Sequence, residues 1–328
     1  MPSEKSVAFN YIVELNRRSR LPFQDIMALS QDFSFSDIAS ISSDMDEPNY
    51  YGSFWTLAHY AGFSLMNLPP RNFSIQHGIV YDFSQWEREK LGKENLVWSR
   101  EIVEMYKKMG ATKVLAIGAP FLYAESLLSN EDIANEKKRL GRNLLAFPMH
   151  STHFIDKNYD PNHFVKVLKS QRDSFDSVRV CLYWKDIQRG IASFFQNAGF
   201  ECVCCGHMFD QFFLQRQKSL YEIADATISN ALGSHVGYSV SMNKPHWLVP
   251  DEFELVDIKG NDGFEEMNRI KGNEKIEYIK SLFMNNSSFN ISQDQIKIVD
   301  KYWGLSDKKM PKEMNTLLTN FYEHSAIG

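Results

Sequence analysis

LYEIADATISNALGSHVGYSVSMNKPHWLV, from Leu220 to Val249, is the stretch whose reading decides the fold. It reads as a short helix, a strand ending near Ser229, a turn containing Gly233, a second helix from about Ser234, and a strand opening after Lys244-Pro245. In α/β sheets ligands gather where a strand's carboxyl end meets the next helix, because the unbonded N–H groups and the helix dipole attract anions there. Ser229, Asn230, Gly233, Ser234 and His235 fall at that junction, which points to a phosphate or nucleotide site. An ordinary capped turn draws on the same small polar residues and glycine.

The same unit repeats upstream. NLLAFPMHSTHF is an apolar strand ending in His150 and Ser151, and the helix PNHFVKVLKSQRDSF comes next, with Asp160 as its N-cap and Pro161 in its first position. SVRVCLYW is a strand closed by Lys185-Asp186, and ECVCCG is another that leads to His207. Four successive strand-helix units indicate a doubly wound domain. Strands of one parallel sheet share a direction, so His150, Ser151, Asp186, His207 and the 229–235 turn converge on one edge.

Further upstream the pattern changes. RNFSIQHGIV holds a short strand, Phe73 to Ile75, with Gln76 and His77 at its carboxyl end. A helical stretch from Asn95 to Met109 and the strand TKVLAIGAP come after it, closed by Gly118 and Pro120. Before them, Asp44, Asp46, Glu47, Asn49, Tyr50, Tyr51 and Gly52 gather in a loop ahead of a helix from Ser53. Carboxylates and tyrosines in a loop suit sugar hydroxyls, and they also suit a solvated loop with capping acids. The charged run AESLLSNEDIANEKKRLGRN marks a boundary between Ala124 and Arg142. The expected organisation is an acceptor-side α/β domain over 1–140, a nucleotide-binding Rossmann-like domain over 141–260 and a helical appendage over 261–328.

A chain of 328 residues is long enough for two cores. Its formal charge of -5 gives no reason to expect a nucleic-acid partner. No apolar run reaches the roughly 18 residues of a membrane span, and the first residues lack the basic-then-apolar pattern of a secretion signal, so the expected location is cytoplasmic. Arg17, Arg18 and Arg20 among apolar residues suggest peripheral contact with the inner face of a membrane, or a solvated basic turn. Cys181, Cys202, Cys204 and Cys205 are spaced too tightly for a disulfide framework and lack a zinc pattern, so they read as buried strand thiols. Phosphate-loop, dinucleotide, zincin and nucleophile-elbow motifs are all missing. HSTH at 150–153 has no acidic or thiol partner in sequence, and no metal is expected.

ISNALGSHVGYSVSMNKPHWLV is similar to the segment of GT-B-like glycosyltransferases in which a Gly-Thr/Ser-His turn and a following Lys-Pro strand hold the donor nucleotide. With FPMHST, CLYWKD and CCGHMFDQFFLQRQKSLYEIAD it resembles bacterial transferases of capsule and lipopolysaccharide assembly that use CMP-activated acidic sugars such as 3-deoxy-manno-octulosonic acid (Kdo). Gly233-Ser234-His235 carries Ser where that group often has Thr, which keeps the hydroxyl.

The resemblance implies two Rossmann-like domains facing a cleft, a CMP-sugar donor, no cofactor, and a glycan or lipid-linked glycan acceptor. Glycosyl transfer needs a carboxylate near the anomeric carbon and donors for the departing phosphate. Asp186 is the leading carboxylate, as base or nucleophile, with capping of the helix from Ile187 as its structural alternative. His150 and His207 are the catalytic imidazoles expected beside it. Ser151, Ser229, Asn230, Gly233, Ser234 and His235 are expected to hold the nucleotide, and Asn49, Tyr50, Tyr51, Gln76 and His77 the acceptor. QHG at 76–78 also resembles a His-Gly signature of teichoic-acid-type polymerases, which implies CDP-polyol transfer instead. A non-catalytic sugar-nucleotide-binding scaffold is the third reading.

Overall fold

A computed structural model describes residues 13–32, 47–64, 68–69, 73–82, 85–151, 155–251, 254–257, 272–284 and 289–323. Two parallel sheets organise the chain, as an α/β fold requires. The first holds β1 (Phe73–Ile75), β2 (Glu94–Val97) and β3 (Val114–Ala116) in sequential order. Ser99 caps the helix Arg100–Lys108 between β2 and β3 by accepting from the Ile102 N–H, satisfying one of the amides that a helix start leaves unbonded.

The second sheet holds β4 (Asn143–Phe147), β6 (Ser177–Leu182), β7 (Glu201–Cys204), β8 (Ala226–Ser229) and β9 (His246–Leu248), ordered β7-β6-β4-β8-β9 and all parallel. The chain winds outward from β4 through β6 to β7, then returns to add β8 and β9 on the other flank. The order reverses between β4 and β8, and that is where a doubly wound sheet opens a crevice. Every residue of β4 and β8 is buried, as expected of strands covered on both faces. The four cysteines are buried and free, and burial pushes the Cys202 and Cys204 thiols up to about 12. A separate antiparallel pair, β5 (Ile155–Asn158) with β10 (Glu254–Asp257), has no counterpart in the sequence reading.

The two halves share a core. Phe121 after β3 stacks on Tyr238 with ring centroids 4.2 Å apart, and Trp98, Phe147, Tyr221 and Trp303 belong to the same buried cluster. The helix Gln293–Trp303 lies on the helix Ser234–Ser241, where Gly237 leaves room for the Trp303 indole; a Cβ there would stand 2.3 Å from that ring. Trp303 Nε1 donates to the Ser234 carbonyl at 2.9 Å.

Within the expected helical appendage over 261–328, the helix Pro311–Glu323 packs on the first half, burying Met314 and Leu318 against Phe54, Leu57, Phe73 and Ile75. Of the three arginines expected in a basic turn, Arg17, paired with Glu14, and Arg20 are exposed, while Arg18 is 2% exposed and lies 3.8 Å from the buried Asp210, which Arg216 meets at 2.9 Å. Among the described residues no helix is long and apolar enough to cross a membrane.

Candidate active site

The carboxyl ends of β4 and β8 are tied across the reversal point by Asn230. Its Oδ1 accepts from the Met149 N–H, and its Nδ2 donates to Asp251 Oδ2 at 2.7 Å. Asp251 also meets His163 Nδ1. Ser229 donates to the Ala231 carbonyl at 2.9 Å and contacts His246 Nε2 at 3.0 Å. Both Ser229 and Asn230 are fully buried. Both side chains, expected to hold the nucleotide, are engaged in these internal bonds.

Past Asn230 the chain becomes more accessible. Gly233 is extended, a conformation open to any residue, and an added Cβ would meet the His235 imidazole at 2.8 Å. His235 stacks on Phe147 at 5.2 Å, with Nε2 3.1 Å from the Ala231 carbonyl. Ser234 begins an eight-residue helix, and its Oγ accepts from the Ile79 N–H of the first half at 3.3 Å.

After β4, His150 Nδ1 lies 2.8 Å from the Ser151 carbonyl, which can only accept, so the neutral ring carries its proton on Nδ1 and its basic lone pair on Nε2. Ser151 is fixed from two sides. Its N–H donates to Asp186 Oδ2 at 3.2 Å, and its hydroxyl accepts from Arg189 Nη1 at 2.6 Å. Asp186 is 3% exposed and 3.7 Å from the same Arg189 nitrogen. The carboxylate expected to do chemistry thus holds the His150-Ser151 turn in place, and it does so from inside the helix Trp184–Gln188 rather than as its N-cap, which is Tyr183. His207 has a structural setting: its ring packs on Trp184 at 4.0 Å, Nδ1 accepts from the Phe209 N–H, and Nε2 lies 3.2 Å from Asp32.

The first half contributes an aromatic face. Tyr50 meets His77 edge-on at 5.1 Å and Phe209 at 5.6 Å. Tyr51 lies 6.3 Å from His77, packs on Phe213 at 4.9 Å, and its hydroxyl reaches that of Tyr183 at 3.2 Å. Burial pushes both phenols up, so the pair stays protonated. Tyr51 holds this position in a left-handed conformation, φ 61°, rare for a bulky side chain, and its N–H donates to the Met208 carbonyl at 2.6 Å. Gly52 is next, at φ 69°, with the Gln211 carbonyl 2.3 Å from where a Cβ would stand. Asn49 is buried beside them.

Gln76 sits at the end of β1 as expected, but its amide is engaged within the sheet. Nε2 donates to the Gly78 carbonyl at 2.8 Å and Oε1 accepts from the Trp98 N–H at 2.9 Å. Asp44, Asp46, Thr152 and His153 lie outside the described residues.

Sequence reasoning missed Tyr159, Tyr183, Arg189, His246 and Asp251. Asp251 comes soon after β9 and Tyr183 directly after β6, so the strand-end rule that found Asp186 reaches both. Arg189 stands three residues after Asp186, a helical spacing that places the two side chains together. His246 carried no signal, since a histidine opening a strand is usually a packing residue.

No protein-family model matches the chain, and no curated protein matches it. Solved structures resembling it include ADP-heptose lipopolysaccharide heptosyltransferase II of E. coli, at 13% identity and a TM-score of 0.28 over 47% of this chain. The chain spans 55% of the length of that enzyme. The wall teichoic acid polymerase TagF gives 11% and 0.40, covering 81% of this chain and 72% of its own. The UDP-GlcNAc 2-epimerase of Methanocaldococcus jannaschii gives 10% and 0.35, covering 84% and 82%. The chain's own strands and side chains give two parallel sheets, with braced polar groups at the strand ends of the second and aromatic rings in the first half.

Proposed function

We propose that the protein is a glycosyltransferase, moving a sugar from a nucleotide-activated donor to a glycan of surface polysaccharide or lipopolysaccharide. The supporting observation is the meeting of two strand-end edges, bonded through Ile79 to Ser234 and through Tyr51 to Tyr183, at the point where the five-stranded sheet reverses its order. Such a crevice suits a nucleotide on one wall and a separate acceptor on the other. The resemblance of the 229–249 segment favours a CMP-activated acidic sugar such as Kdo as the donor.

In this reading the acceptor lies on the aromatic wall of Tyr50, Tyr51 and His77. Its hydroxyl oxygen bonds to the anomeric carbon as the carbon–oxygen bond to the nucleotide breaks. The hydroxyl proton passes to His150 Nε2, and the bond's electron pair leaves on the phosphate, which the start of the Ser234 helix and the Ser234 hydroxyl receive. Asp186 is a positioning residue here, acting on His150 through Ser151.

A thermal-shift comparison of CMP, UDP and GDP tests the reading, since a ligand that binds only the native state raises its melting temperature. CMP is expected to give the largest shift. Stabilisation by UDP or GDP without CMP would overturn the donor, and silence from all three would overturn the reading.

A further inference from the structure

His163 and Asp251 form a dyad that the mechanism above does not use. His163 stands in the first turn of the helix Pro161–Ser170, and its Nδ1 meets Asp251 Oδ1. An ionised carboxylate only accepts, so the neutral ring carries its proton on Nδ1 and leaves Nε2 as the atom that exchanges a proton with a ligand. The two side chains differ in exposure: His163 is 56% exposed and Asp251 6%. The carboxylate is fixed as well as sheltered. Its second oxygen accepts from Asn230 Nδ2 at 2.7 Å, and the Asp251 N–H donates to the Asn230 carbonyl at 3.1 Å. An exposed pair adds little to stability, so a carboxylate anchored three ways behind an accessible ring serves to orient that ring.

The dyad stands where the strand ends gather. Asn230 follows β8 and reaches the Met149 N–H beyond β4, while Asp251 follows β9. The 231–235 turn and the helix Ser234–Ser241, which receive the departing phosphate in the reading above, continue directly from Asn230. The other nearby charge on the helix of His163 is its N-cap, Asp160, which accepts from the Asn162 N–H at 2.9 Å. A carboxylate behind an imidazole holds its tautomer and balances the imidazolium that forms when Nε2 takes a proton. An imidazolium in turn donates to phosphate oxygens through a charge-assisted bond.

We propose that His163, held by Asp251 and Asn230, is the proton donor to the phosphate of a nucleoside monophosphate leaving group. As the bond between the anomeric carbon and the phosphate oxygen breaks, its electron pair stays on oxygen and the proton on His163 Nε2 passes to the phosphate. The ring is left neutral and is reloaded from solvent. Asp251 and Asn230 are positioning residues. The proposal rests on the donor reading above and names the side chain that meets the donor's phosphate.

His163→Gln keeps a group that can donate to Asp251 and removes the imidazole. CMP and cytidine differ by the phosphate alone. Calorimetric titration is expected to show H163Q binding CMP about tenfold more weakly than wild type and binding cytidine equally. In wild type with carbon-13-labelled histidine, the His163 signals, assigned by their loss in H163Q, are expected to move toward the imidazolium form with CMP and to stay in place with cytidine. Equal CMP binding by both proteins overturns the proposal. So does a loss shared by CMP and cytidine, which would make the dyad a structural support. A wild type that binds no nucleotide sinks the donor reading separately. The dyad is then judged with inorganic phosphate, and His163 signals that phosphate leaves in place overturn it.

Discussion

On the five-stranded side the polar side chains at the strand ends are cross-braced: Asn230 joins the β4 and β8 ends, and Asp186 with Arg189 grips Ser151. On the three-stranded side rings take their place, with Tyr50, Tyr51 and His77 in edge and tilted contacts and one hydroxyl pair joining the two halves. Braced polar groups fix geometry, because each has a partner that moving would break. Ring edges tolerate sliding, because dispersion contacts are many and individually weak. On the proposed function, the polar side would hold one donor in one pose and the aromatic side would receive acceptors that differ in detail.

The largest expected effect comes from breaking the seam that keeps both walls in register. Gly237→Ala drives a methyl into the buried Trp303 ring, and destabilisation of about 3 kcal/mol or more should appear in the urea midpoint. Wild-type stability would show that the two helices separate cheaply. Asp186→Asn tests the polar wall alone. The amide can still accept from Ser151 but loses its charge toward Arg189, and kcat is expected to fall about a hundredfold through misplacement of His150, with KM and CMP affinity nearly unchanged. Equal losses in kcat and CMP affinity would show instead that the carboxylate serves nucleotide binding.

The smallest effect concerns His246, beneath the polar wall between Thr227 and Ser229. Burial, and then His235, hold its pKa well below the ordinary histidine range. The unfolded chain therefore takes up a proton that the folded one resists. The contribution is complete above the unfolded value near 6.5 and is lost as pH falls toward the folded one, about 1 kcal/mol between pH 7.5 and 5.5. Melting curves of His246→Gln should be flatter than wild type over that interval, and parallel curves would place the acid sensitivity elsewhere.

Much of the polar wall is legible in sequence because its strands are buried on both faces and write nearly unbroken apolar runs, NLLAF and ECVC among them, that end where polar residues begin. The rule locates Asn230 and Asp186 but not their duties. Whether a side chain faces a ligand or a backbone amide depends on what a distant strand brings to it, as β4 brings Met149 and Ser151. The β5–β10 pair is illegible because four-residue strands nearly a hundred positions apart leave no local period. In sequence Tyr51 reads as a loop tyrosine. Its left-handed backbone is held by the Met208 carbonyl of the other half, and no propensity anticipates a tyrosine there.

The helix Pro311–Glu323 has a consequence for how the protein is made. Phe54, Leu57, Phe73 and Ile75 reach their final packing only against Met314 and Leu318, which leave the ribosome some 240 residues after Phe73. The earliest sheet to be synthesised is accordingly the last to be sealed, and its apolar face stays open to chaperones throughout translation of the second sheet. For a nascent chain this reverses the usual sequence, in which the amino-terminal unit folds first and shelters the later ones.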